Sequence, residues 1–282
     1  MSFDAWIGRE QEAHDTLTPQ TAAQWCATLD IPMPERWIMP QGVHFVLCTP
    51  DAPTSALGED GHPARDESPD SFFPPFPLPR RMWASSDIRF IAPIAVGAVV
   101  KRTSRIASIA EKEGASGKLA FVNVEHETVA NGTLSVSETQ TLVYRDAAAP
   151  DAPLSPPEPG DGVFDPSEWD AHRLVTPDER LLFRYSALTF NTHRIHYDAP
   201  YASDVERYRG LVVHGPLTAS LLLQMAAGEL GENRLRHFAF RGVSPAIAGD
   251  ALNLVMRKSE DGFELGAFAS DGRQITRASA SF

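Results

Sequence analysis

Residues 188–202 read LTFNTHRIHYDAPYA, and residues 214–227 read HGPLTASLLLQMAA. Together they set several imidazoles, a carboxamide and the head of an apolar helix close together in the chain. Pro216 suits a first helical turn, because the N–H it lacks would be unpaired there anyway. The apolar run from Leu217 to Ala227 is long enough for about three turns, and Gly228 or Gly231 can end it. Taken alone, His193-Arg194-Ile195-His196 is an ambiguous HxxH pair open to structural use. It lacks the glutamate of an HExxH zinc site and any third ligand, so no metal is expected.

Working outward from this run, an extended segment is expected near Leu181 to Ser186. After the apolar helix come four short strand-like stretches: HFAFRGVSP (237–245), DALNLVMRKSEDG (250–262), FELGAFASDG (263–272) and QITRASASF (274–282). In the first half, Thr18 can cap and Pro19 can open a helix running to about Leu29, with Ala22, Trp25, Cys26 and Leu29 on one face. Residues 58–79 break regular structure repeatedly. From about Asp87 to Tyr144, β-branched stretches separated by Gly and Asn-Gly predict a meander. Residues 147–166, AAAPDAPLSPPEPGDGVFDP, hold six prolines and too few large apolar side chains to build a core, and read as a linker. The chain therefore divides into an N-terminal unit (1–146), the linker (147–166) and a C-terminal unit (167–282). Arg89-Phe90-x-x-Pro93 followed by Gly97 is echoed by Arg241-Gly242-x-x-Pro245 followed by Gly249, which suggests two copies of one α+β fold.

Composition narrows the function. A chain of 282 residues with 43% hydrophobic residues can bury a large core. Its net charge of −12 and its lack of Lys/Arg clusters argue against nucleic acid as a partner. Cys26 and Cys48 stand far apart with no CxxC spacing, so neither a disulfide framework nor a cysteine zinc site is expected. No export signal or membrane span is visible, and a reducing cytoplasmic setting is expected.

The run Asn191–His196, followed by Asp198-x-Pro200-x-Ala202 and by His214-Gly215 before an apolar helix, resembles the MaoC-like family of enoyl-thioester hydratases and hydroxyacyl-thioester dehydratases. That family's signature is Asp-x-Asn-Pro-aliphatic-His. Its aspartate falls at Asn191, its asparagine at His193, its proline at Arg194, its aliphatic residue at Ile195 and its catalytic histidine at His196. The form TFNTHRIHYD, with Pro77-Leu78-Pro79-Arg80-Arg81-Met82-Trp83 in the first half, is similar to the branch holding type 2 hydroxyacyl-thioester dehydratases and mesaconyl- and itaconyl-CoA hydratases. The resemblance covers most of the chain. It implies a double hotdog, two antiparallel sheets each wrapping a helix. One active site per chain is expected in the C-terminal unit, with the first half supplying binding surface.

Hydrating an enoyl thioester requires a proton-transfer group and a site for the enolate oxygen. The resemblance assigns proton transfer to His196, whose imidazole titrates near neutrality. Asn191 would orient water; as a carboxamide it cannot act as the acid. Either His196 performs both transfers through one water, or His193 or Asp198 contributes. The N–H of Gly215, at the positive end of the helix after His214, is the expected oxyanion donor. Arg194, Arg184, Arg80 and Arg81 are candidates for a CoA phosphate or an acyl carboxylate, with His193 and His214 as further substrate contacts. The expected reaction is reversible addition of water to a short enoyl-CoA, dicarboxylic as in mesaconyl- or itaconyl-CoA. No cofactor is expected beyond the CoA of the substrate, and the two fused units leave pairing into a homodimer open. The rivals are a dehydratase of fatty 3-hydroxyacyl thioesters, whose site should be a long apolar tunnel without an arginine, an acyl-CoA thioesterase, and a non-catalytic acyl-CoA binding subunit.

Overall fold

The computed structural model describes residues 3–114 and 117–282. The first half contains β1 (Glu10–Thr16), α1 (Pro19–Thr28), β2 (Arg80–Phe90), β3 (Val99–Gly114), β4 (Gly117–Ala130) and β5 (Thr133–Arg145). The second contains β6 (Ala171–Val175), α2 (Glu179–Leu188), α3 (Ala199–Asp204), α4 (Gly215–Leu230), β7 (His237–Gly242), β8 (Leu252–Ser259), β9 (Gly262–Ala269) and β10 (Gln274–Ser281). One sheet holds all ten strands, in the order β1-β3-β4-β5-β2-β7-β10-β9-β8-β6. Read from either edge, the order of the five strands is the same, so the chain forms the α+β double hotdog expected from the sequence, with the two expected sheets joined into one and only the second half wrapping a central helix. The halves join where β2 pairs antiparallel with β7, from Ser85 opposite Arg241 to Arg89 opposite His237.

The Arg–Pro–Gly echo marks equivalent corners. Gly97 and Gly249 both sit at φ +87, a conformation that favours glycine. The Gly97 N–H donates to the Leu17 carbonyl at 2.7 Å, and the Gly249 N–H donates to the Pro177 carbonyl at 2.8 Å. Each bond ties the turn leading into a long strand to the segment that precedes the first helix of its half.

The strands follow their side-chain alternation. Along β4, Ala120, Val122 and Val124 are buried while Phe121, Asn123 and Glu125 face outward to differing degrees. α1 begins as its sequence dictates, with the Thr21 N–H donating to Thr18 Oγ1 at 3.0 Å and Pro19 in the first turn. α4 is buried on every side from Leu217 to Met225, which fits its uniformly apolar or small residues, and Gly231 ends it.

Residues 181–186 are helical, not extended. Asp178 accepts from the Leu181 N–H at 2.9 Å and opens α2, while Leu182 and Tyr185, one turn apart, are fully buried. The run of apolar residues hid this periodicity because Phe183, in its middle, is 69% exposed. α2 packs on α1, its counterpart in the first half.

Where the second half has α4, the first half has only a short 3₁₀ turn, Val43–Val46. The space left along β3–β5 is part of the cavity described next. Residues 147–166 form no helix or strand, and Ser155 exchanges backbone hydrogen bonds with Arg207 and Arg209.

Candidate active site

Between the end of α2 and the start of α4 the chain makes a compact polar loop. The Asn191 N–H donates to the Ser186 carbonyl at 2.9 Å as α2 ends, and Asn191 Oδ1 accepts from the His193 N–H at 2.9 Å. A 3₁₀ turn spans Arg194–His196, and Asp198 caps α3 by accepting from the Tyr201 N–H at 3.1 Å.

This geometry fixes His196. Its Nδ1–H donates to the Val212 carbonyl at 2.6 Å; a carbonyl only accepts, so Nε2 is left as the basic nitrogen. The imidazole is 7% exposed, and burial holds its pKa down to about 4, so it is neutral at pH 7. His214 stacks on it with ring centroids 3.6 Å apart and planes 19° apart. His214 Nε2 meets Ser186 Oγ at 2.9 Å, while its buried Nδ1 has no protein partner among the described residues. His193 sets its ring edge-on to His196 at 5.5 Å. Burial pulls the pKa values of His193 and His214 well down as well.

A cavity of about 1360 Å³ opens between the halves and is lined by Asn191, His193, His196, His214 and Gly215. Gly215 opens α4, no side chain caps that helix, and the Trp83 carbonyl of β2 lies beside it. A methyl group built on Gly215 would stand 3.8 Å from that carbonyl, an ordinary contact. The helix start is therefore open to a ligand oxygen from the cavity, as the sequence suggests.

The arginines behave differently. Arg194, expected to read a substrate carboxylate, is spent within the protein. Its guanidinium donates to Asp198 at 2.9 and 2.7 Å and to the Glu59 carbonyl at 3.1 Å, and it lies over the Tyr201 ring at 4.0 Å. It does not line the cavity, nor does Arg184, which is exposed on α2 and donates to the Ala27 carbonyl at 3.4 Å. Arg80 lines the cavity but is buried in an ion pair with Glu206. Arg81 lines it with no carboxylate in ion-pair range among the described residues.

Two groups in the first half had gone unrecognised. Asp60 and His62 stand in the stretch that seemed merely irregular; Asp60 accepts from His62 Nδ1–H at 2.8 Å, and His62 packs on His193 with centroids 4.1 Å apart. One donor atom from each of Asp60, His62 and His193 lies within 4.8 Å of the others. Asp60 Oδ2 and His62 Nδ1 also bond to one another. Deeper in, Glu138 accepts from Ser86 Oγ at 2.5 Å beside His44, Arg102 and His126, and burial pushes its pKa up to about 7. Ser86, Arg102, His126 and Glu138 lie on four separate strands and His44 on the 3₁₀ turn, so only the fold brings them together.

The hydroxyacyl-thioester dehydratase type 2 family model matches residues 42–248. A mesaconyl-C(4)-CoA hydratase of Chloroflexus aurantiacus is 41% identical over 278 residues, covering 95% of this chain and 93% of that protein. The chain belongs to the hydroxyacyl-thioester dehydratase type 2 family. The crystal structure of HtdX of Mycobacterium tuberculosis superposes with TM-score 0.67 at 16% identity, over 97% of this chain and 99% of that one. A conserved protein of Mycobacterium tuberculosis described as a double hotdog gives TM-score 0.57 at 15% identity, over 96% and 94% of the two chains. The second pair shares a fold, and the first pair shares a family. For this dehydratase-family chain, the matched residues include both the Asn191–Asp198 loop and the Asp60–His62 segment of the first half. Among the described residues, no helix is long and apolar enough to cross a membrane.

Proposed function

We propose that the chain reversibly adds water to the double bond of a short enoyl-CoA carrying a second carboxylate, of the mesaconyl- or itaconyl-CoA type. His196 Nε2 takes a proton from water as the oxygen bonds to the β carbon, and Asn191 helps hold that water. The electron pair of the double bond moves toward the thioester oxygen, where the Gly215 N–H and the start of α4 stabilise the enolate. Protonation of the α carbon completes the addition. The reaction takes no cofactor beyond the CoA of the substrate, and we place it in the reducing cytoplasm, where the buried free thiols of Cys26 and Cys48 persist.

The observation that carries the dicarboxylic reading is Arg102. This residue of β3 lines the cavity; its Nη1 and Nη2 donate to the neutral Leu47 and Cys48 carbonyls, its Nε is buried without a partner, and its charge meets no carboxylate in ion-pair range among the described residues. His126, Gln140 and Glu138 line the same limb. A fatty acyl chain in such surroundings would strip polar groups of water without replacing their hydrogen bonds, whereas a carboxylate would supply them. The similarity to a mesaconyl-C(4)-CoA hydratase supports the same substrate class.

Purified protein given crotonyl-, mesaconyl-C(4)-, itaconyl- and long-chain enoyl-CoA, and followed at the enoyl-thioester absorbance, tests this. Loss of absorbance fastest with a carboxylated substrate is expected. Release of free CoA, detected with a thiol reagent, would identify a thioesterase instead, and fastest turnover of the long chains would identify the fatty dehydratase.

A further inference from the structure

The catalytic loop supplies a base but no acid. His196 Nε2 is basic, Asn191 is a carboxamide whose oxygen is occupied by the His193 N–H, and Asp198 is held by Arg194 and the α3 cap. The first half places an imidazole at this gap. Residues 58–63 form a tight loop closed by the Gly58 N–H donating to the His62 carbonyl at 2.8 Å. This loop is clamped to the catalytic loop. The Arg194 N–H donates to the Asp60 carbonyl at 2.9 Å, Thr192 Oγ1 donates to the Gly61 carbonyl at 2.5 Å, and the Arg194 guanidinium reaches the Glu59 carbonyl. Gly61, at φ +85, lies so close that a Cβ there would overlap the Thr192 carbonyl. Such close approach between two irregular segments admits only glycine, and it fixes where the His62 ring stands.

The side chains continue the pattern. Asp60 accepts from both the backbone N–H of His62, at 3.0 Å, and its Nδ1–H, at 2.8 Å. The carboxylate thus sets the ring's tautomer and stabilises its imidazolium form, the service that a buried carboxylate gives a proton-transferring histidine. His62 Nε2 has no hydrogen-bond partner among the described residues, and the ring lines the cavity against His193. Burial lowers the pKa of His62, Asp60 works against that, and Arg81 and Arg65 add to the lowering; His193 and His196 are the imidazoles nearest it on the loop.

We infer that His62, held by Asp60, is a second catalytic residue, contributed by the N-terminal half, that delivers the proton to the α carbon. The inference rests on the hydratase reading above. During hydration the water oxygen bonds to the β carbon while its proton passes to His196 Nε2. The C=C pair shifts onto the thioester as an enolate, which then takes, at the α carbon, the Nε2 proton of His62 in its imidazolium form, the form Asp60 favours and in which His62 enters the hydration cycle. The proton now on His196 returns to His62 through solvent in the cavity. One water is consumed, and both imidazoles regain their starting states. In dehydration, His62 removes the α proton and His196 protonates the departing hydroxyl.

The test is steady-state kinetics of H62Q and D60N with mesaconyl-C(4)-CoA and crotonyl-CoA, alongside the wild type. Near-ultraviolet circular dichroism establishes that each variant is folded. H62Q is expected to lose at least 100-fold in kcat with KM within about threefold, the range for a lost general acid. Exchange of the α proton of the 3-hydroxyacyl product in D₂O should fall in parallel. D60N, which keeps the loop's size, is expected to lose about tenfold in kcat and serves alone if H62Q does not fold. More than one third of wild-type kcat in H62Q, or undiminished kcat in D60N, overturns the proposal. So does a change confined to KM. Enzyme dialysed against EDTA should remain fully active; loss restored by Zn²⁺ would overturn it in favour of a metal at Asp60, His62 and His193. Wild-type protein that hydrates none of the substrates overturns the hydratase reading and this proposal with it, whereas an active wild type with an active H62Q overturns this proposal alone.

Discussion

The rings of His196 and His214 stack 3.6 Å apart, and each is oriented by a different partner, the Val212 carbonyl for His196 and Ser186 Oγ for His214. This stack keeps the basic Nε2 of His196 from turning away. His196→Ala is expected to fold and to lose kcat by about 10²- to 10⁴-fold, the worth of a positioned general base. Activity within threefold of wild type would remove His196 from the chemistry.

Gly215→Ala separates approach of the ligand from folding. The added methyl meets only the Trp83 carbonyl, at 3.8 Å, so the melting temperature should change little. The N–H is kept, but the methyl crowds the place proposed for the thioester oxygen, so kcat should fall by up to about 10²-fold, the scale of an oxyanion bond that can no longer form. Full activity in this variant would place the oxyanion elsewhere.

Arg194→Ala tests the corrected role of this residue. Its guanidinium ties Asp198 to the Glu59 carbonyl, so its loss should lower the melting temperature slightly. Crotonyl- and mesaconyl-C(4)-CoA should then be slowed alike. Selective loss of the carboxylated substrate would return the carboxylate to Arg194. Arg102→Gln should instead raise KM for mesaconyl-C(4)-CoA about tenfold or more and spare crotonyl-CoA, since a buried charge-assisted pair is worth about 1.5–3 kcal/mol.

Stability should depend on pH in a defined direction. Burial lowers the pKa of His196 and His126 from 6.5 to about 4 and that of His44 to about 3, and it lowers His193 and His214 too. As pH falls through 6.5 the unfolded chain binds protons that these rings refuse, so stability drops down to about pH 4 for His196 and His126, to about 3 for His44, and further for the others. Glu138 works against this between 4.5 and about 7, where the folded chain keeps a proton that the unfolded chain has lost. Thermal melts from pH 8 to 5 should therefore show Tm falling with acidification, and E138Q should steepen the fall. A flat or opposite trend would mean that the histidines are not buried in their neutral form.

Much of this was legible in the sequence where the signal was local. Thr18-Pro19 opens α1, Pro216 and Gly231 bracket α4, and the Arg–Pro–Gly echo marks matching corners of the two halves. Asn191 and His196 came from one motif and Gly215 from the helix start that follows it, both through the family resemblance, and all three line the cavity. What escaped depended on contacts distant in the chain. Asp60 and His62 lie more than a hundred residues before the loop they face, in a segment rich in Gly and Pro whose one hint was Asp60-Gly61-His62. Arg102, His126 and Glu138 come together only through the register of β3, β4 and β5. Arg194 misled because its position beside His196 says nothing about which way its side chain turns, and Asp198, one helical turn on, captures it.

The most direct test of the central claim is to follow mesaconyl-C(4)-CoA with the protein in H₂¹⁸O by mass spectrometry and NMR. The account predicts one ¹⁸O as a hydroxyl on the β carbon, a new proton on the α carbon and an intact thioester. Label in a newly freed carboxylate with release of CoA, or no label at all, would contradict it.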